Sequence, residues 1–197
     1  MSLRILLVVA GCTLFAGAGF GQRSWKFRSD NYVGIVAGEL GNYGQVQTVN
    51  GIYKGPWFAG IGTGLDYYRF RTVPLYLSVN RDLFGSKESS GFFISLNGGT
   101  TLPWFSGYPM PYGIQSRTFS PGFWGNGGFG YRQKLSEKTD KAFLFSISYG
   151  MKKLSEKQKS LPPLCFGCMY GPEPQTTQTY EYDYVNRTFL FSIGFQF

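Results

Sequence analysis

A chain of 197 residues with a net charge of +8, no histidine and 19% aromatic residues is expected to form one domain. Its slightly negative mean hydropathy argues against a helical membrane protein, and the missing histidine excludes a Ser-His catalytic pair. Charged residues are only 15%. No dense Lys/Arg run is interleaved with base-stacking aromatics, so the basic excess points to anionic lipid headgroups and not to nucleic acid.

The first segment, "MSLRILLVVAGCTLFAGAGFG", has one cation (Arg4), an apolar run and then small residues. That order reads as a secretory signal peptide over residues 1–21, too short and glycine-rich to span a bilayer. Cleavage is expected after Gly19-Phe20-Gly21, with Ala16-Gly17-Ala18 as a second site. Val9-Ala10-Gly11-Cys12 resembles a lipobox, which would make Cys12 a lipidated terminus, although the apolar run continues past it. Removing residues 1–21 deletes Arg4 and no acid, which leaves +7. Residues 22–29 are expected to be a short periplasmic segment, with a barrel over 30–197.

No long apolar stripe of period 3.6 follows. Alternation of period two recurs instead, bounded by turn residues. Weak strand patterns lie near 30–40 and 44–54. The clearest is "WFAGIGTGLDYY". One face reads Trp57, Ala59, Ile61, Thr63, Leu65 and Tyr67, an apolar band with an aromatic girdle residue at each end. At ~3.3 Å per residue and ~40° tilt it covers ~25 Å, the apolar height of a transmembrane barrel. The opposite face is Phe58, three glycines and Asp66, suited to a narrow lumen. Further alternating segments occupy 73–80, 92–97, 118–134, 143–151 and 189–197, making about eight strands. Glycine, at 28 residues, is about twice its usual ~7% share.

Connection lengths give a second test. Lys54-Gly55-Pro56, "GSKESS" and "SEKTDK" are compact and fall on one side. "PWFSGYPMPYGIQSR" and "SEKQKSLPPLCFGCMYGPEPQTTQ" are long and fall on the other. Such alternation suits a transmembrane antiparallel up-and-down β-barrel with both termini on one side. The alternative, a lipocalin-like soluble barrel or sandwich, would put the apolar faces inside. It would also leave Gly60, Gly62 and Gly64 facing solvent, poor strand positions.

The ending "FLFSIGFQF" places Phe189, Phe191, Ile193, Phe195 and Phe197 on one face. On those residues the sequence resembles the small outer-membrane β-barrel proteins of Gram-negative bacteria. Its glycine and aromatic style, and a signal ending in Gly-Gln, look like the Bacteroidota members. The resemblance implies that the last strand is an assembly signal read by the barrel-assembly machinery, and that the protein resides in the outer membrane.

Other motifs are weaker. "GNGGFG" at 125–130 satisfies the dinucleotide glycine pattern, but no amphipathic helix follows it. "NRT" at 186–188 has the form of a glycosylation acceptor and lies on a strand. Glu39, Asp66 and Asp82 are the expected lumen acids, to be neutralised by Arg132 or Lys134. Cys165 and Cys168 form a C-x-x-C pair. A zinc site lacks two further ligands, and flanking prolines argue against a redox helix. A local disulfide in an exposed loop remains, with free thiols as the alternative.

These features imply a non-enzymatic monomeric barrel with a structural, adhesion or assembly and secretion role, and no cofactor or metal. The alternatives are a porin-like small diffusion pore and a lipid-modifying enzyme. Outer-membrane lipids are the expected partners.

Overall fold

The computed structural model describes residues 25–84, 90–104, 114–136, 140–160 and 178–197. The expected signal segment, Cys12, Cys165 and Cys168 lie outside the described residues. Strands run in chain order as β1 (Lys26–Gly38), β2 (Gly41–Lys54), β3 (Trp57–Asp66), β4 (Thr72–Phe84) and β5 (Gly91–Pro103). They continue as β6 (Ile114–Ser120), β7 (Gly122–Lys134), β8 (Ala142–Ser160) and β9 (Gln178–Gln196).

Every neighbour is antiparallel, and β9 pairs with both β8 and β1, which closes the sheet. Ile193 sits opposite Phe145 on one side and Val33 on the other. The nine segments make eight staves, because β6 and β7 are one strand interrupted at Pro121 and both pair with β8. Proline has no N–H to give to a ladder, so a break there is the natural place for the stave to bend. Closure leaves the barrel wall without an edge.

β1 starts four residues earlier than the alternation suggested, since Lys26–Ser29 pair with Tyr53–Asn50 of β2. Residues 26–29 therefore belong to the barrel. The hairpin β2–β3 turns on Gly55 with φ +66°, a backbone that L side chains rarely adopt.

The larger difference lies at the opposite end. "SEKQKS" and Gln178, expected as loop, and residues 179–185, which lay outside every alternating segment, continue the β8–β9 ladder in register to Ser160↔Gln178. β1 accompanies β9 only as far as Gly38↔Thr188. Beyond that rim β6, β8 and β9 form an open three-stranded sheet. Apart from Val185, its outer face carries Lys153, Ser155, Lys157, Glu181 and Asp183 where apolar residues would stand, so the lipid-facing pattern that marks a strand in the sequence is missing.

Side chains sort by parity. Ile61, Leu77, Leu96 and Ile193 are 60–68% exposed, while Gln47, Ser78, Asn80 and Ser192 are buried. That is the reverse of a soluble barrel. A continuous apolar belt facing outward is stable only where lipid covers it, so the wall is that of a transmembrane barrel.

Candidate functional site in the barrel interior

Alternation aims every second residue at the axis, and the interior is therefore a stack of side-chain layers. At the end bearing the termini, Arg28 donates to Asp30 at 2.7 Å with both side chains at most 5% exposed. The Arg28 guanidinium also lies 3.9 Å from the centroid of the Phe58 ring. Arg132 donates to both carboxylate oxygens of Asp82 at 2.9 Å. Two cations and two anions thus neutralise one another, as a low-dielectric interior demands.

The waist is aromatic. Tyr76 and Trp124 meet with centroids 4.5 Å apart, packed with Val49 and Phe58. Around them the wall is short and polar: Ser78, Ser95, Asn97, Asn126, Ser146 and Ser148. Asn97 donates to Asn126 at 2.6 Å across the β5–β7 pair. Two small interior spaces lie among the described residues, of about 30 and 20 Å³. Each is room for about one or two waters.

Above the waist, Lys152 is buried. Its ammonium donates to Asp66 at 3.0 Å and to the Tyr68 carbonyl at 2.6 Å. The Phe70 carbonyl and Thr72 hydroxyl lie at 3.4 and 3.5 Å. The other Asp66 oxygen accepts from the Tyr68 amide at 2.8 Å. These contacts fold the β3–β4 connection inward, so Tyr68 and Phe70 are buried in the mouth. Arg69 between them has φ 60°. Its guanidinium lies 4.1 Å from the Tyr184 ring centroid and donates to Asn186 at 3.4 Å.

The final layer belongs to the open sheet. Glu156 has no exposed surface. It accepts from Arg117 through both oxygens, from Tyr184 at 2.8 Å and from Gln158 at 2.5 Å. Burial alone would raise the Glu156 carboxyl, but the hydrogen bonds from Arg117, Gln158 and Tyr184 and the Arg117 charge hold it below the usual carboxylate range. Burial and the hydrogen bond to Glu156 push the Tyr184 phenol up.

Of the residues singled out in the sequence, Trp57 and Tyr67 are exposed at opposite ends of β3. Arg81 lies over the Trp57 ring and Arg71 over Tyr67, at 5.0 and 5.6 Å. Phe189, Phe191, Ile193, Phe195 and Phe197 share the outward face of β9. Asp82 and Arg132 come together. Asp66 faces the interior, but its partner is Lys152 and neither Arg132 nor Lys134. Glu39 is exposed in the β1–β2 turn and does not enter the lumen, because the strand parity ends at Gly38. The glycines of "GNGGFG" lie in β7. No group of three or more His, Cys, Asp or Glu able to hold a metal occurs among the described residues.

Arg28, Asp30, Lys152, Arg117 and Glu156 were not singled out. For Lys152 the signal was present: it continues the Ser146, Ser148, Gly150 face. Glu156 lay in a segment expected to be loop.

No family model matches the chain, and no curated protein matches its sequence. Among solved structures it is similar to the outer membrane protein OprG of Pseudomonas aeruginosa, with 10% identity and a TM-score of 0.56. The match covers 88% of this chain and 95% of that one. The likeness is one of fold: a closed, eight-stave antiparallel barrel shared with an outer membrane protein.

Proposed function

We propose that this chain is a monomeric, non-enzymatic outer-membrane protein: a sealed barrel that anchors and displays the β6–β8–β9 sheet on the outer side. Its role is then structural, adhesive or part of a surface assembly. The observation that carries this reading is the waist, where Tyr76 and Trp124 pack with tilted rings 4.5 Å apart and the interior spaces beside them, among the described residues, measure about 30 and 20 Å³. The resemblance of the last strand to the assembly signal of Gram-negative barrels supports the compartment, as does the outer-membrane fold relative. The missing histidine supports a non-enzymatic role.

Planar-bilayer recording tests the reading. The refolded wild type is expected to stay silent, and sustained unitary conductance would overturn it. A second reading, the diffusion pore, draws on the serine- and asparagine-lined wall around the waist, which would be wetted if the two rings moved apart. Under the pore reading the wild type conducts. Under the sealed-anchor reading conductance requires Tyr76→Ala with Trp124→Ala.

A further inference from the structure

The outward face of β8 and β9 changes character in steps. Above Phe143 and Phe195 stand Phe145 opposite Ile193 and Ile147 opposite Phe191. They line an apolar groove of about 610 Å³ that also touches Ile35 and Phe129. Next, Tyr149 meets Phe189 with ring centroids 5.1 Å apart. One step above, Arg187 stands opposite Met151, and one step higher Lys153 stands opposite Val185; the two cations are exposed and diagonal to each other across the ladder. Higher still, Lys157 is paired with Glu181 at 3.3 Å, and Ser155 donates to Asp183 at 2.5 Å.

The contrast lies in the pairing. The upper cation has an acid on the adjoining strand. Among the described residues Lys153 and Arg187 are in no ion pair, although Glu39 is exposed on the neighbouring turn. Two like charges at diagonal positions repel unless an anion lies between them. They also sit just above the aromatic ring, where an amphipathic cation reaches headgroups. From Lys153 down to Phe145, at ~3.3 Å per residue and ~40° tilt, the drop is ~20 Å, the depth of one leaflet with its headgroup.

We propose that this stripe binds one phosphorylated lipid of the surrounding leaflet, its phosphate between Lys153 and Arg187 and an acyl chain in the groove beneath. The inference rests on the membrane reading above. The guanidinium supplies a fork for phosphate oxygens and the ammonium a point charge. The aromatic pair marks the neck between headgroup and chain.

The test uses the full chain refolded into phosphatidylcholine vesicles with and without diphosphoryl lipid A. Heat-modifiable mobility in pure phosphatidylcholine first establishes insertion. Its absence would sink the membrane reading, a failure distinct from the one that follows. Native mass spectrometry after mild detergent extraction then measures lipid A retained per barrel. Wild type is expected to retain one molecule, and Lys153→Gln with Arg187→Gln to bind about tenfold or more weakly, from two lost headgroup contacts. Lys157→Gln with Lys159→Gln is expected to match wild type. The deacylated, phosphorylated headgroup is expected not to compete, because the groove contributes. Equal retention by wild type and the Lys153/Arg187 variant, or an equal loss in the Lys157/Lys159 variant, would overturn the proposal. So would full competition by the deacylated headgroup.

Discussion

Tyr76 lies over Gly62, its register partner across β3 and β4, so closely that a methyl on Gly62 would fall 2.3 Å from the ring. The glycine is there to let the ring lie flat along the wall and reach Trp124. Tyr68 lies over Gly38 in the same manner, with its hydroxyl 2.3 Å from where a Cβ would be.

Gly62→Ala should therefore force Tyr76 off the wall and cost about 1–3 kcal/mol, the usual range for overpacking. Gly44→Ala, with no heavy atom within 4 Å of the added methyl, should stay within about 0.5 kcal/mol. Urea titration, read as the ratio of folded to unfolded bands on a gel, separates the two. Equal midpoints would refute the packing account.

Lys152 links β8 to the inward-folded β3–β4 connection. Lys152→Met leaves Asp66 buried without its counter-ion and should cost about 3–5 kcal/mol, whereas adding Asp66→Asn should recover much of that loss. A double-mutant cycle on urea midpoints measures the coupling. Additive losses would show that the pair is not energetically linked.

The last strand closes the barrel: Phe197 and Ser29 exchange backbone hydrogen bonds of 2.8 and 3.0 Å. Phe197→Ala is expected to lower membrane yield in cells if the outward phenylalanines are read during assembly. Gln196 is a poor comparison, because it is buried and donates to the Asp140 carbonyl at 2.8 Å. Thr179→Ala, exposed in the outer sheet, is the appropriate control. Equal yields would remove the assembly role from Phe197. Ile193, midway along the outward set, is where a charge should cost most: Ile193→Arg about 2–4 kcal/mol, and less at Phe189 nearer the rim.

Glu156 makes the outer sheet sensitive to acid. Its folded-state carboxyl is held low, so it contributes stability fully above its unfolded value of ~4.3. That contribution is lost as pH falls below this value and through the folded one. Urea midpoints followed from pH 7 to 3 should fall more steeply for wild type than for Glu156→Gln. Parallel curves would show that the Arg117–Glu156–Tyr184 contacts do not stabilise the carboxylate.

The sequence by itself determined which face of the clearly alternating strands meets lipid. Alternation of period two is local: Trp57 to Leu65 and Phe189 to Phe197 declare their outward sides without reference to any neighbour. Stave number and the β2–β3 turn at Lys54-Gly55-Pro56 follow from the same signal. Tertiary structure alone decided what meets across the lumen. Asp66 and Lys152 are far apart in the chain and on different staves, and their pairing depends on the stagger with which the sheet closes on itself. The outer sheet was hidden for a different reason. Above the rim Lys157, Glu181 and Asp183 face water, so hydrogen bonding between β8 and β9 maintains those strands after the lipid that writes apolar alternation into a sequence has ended.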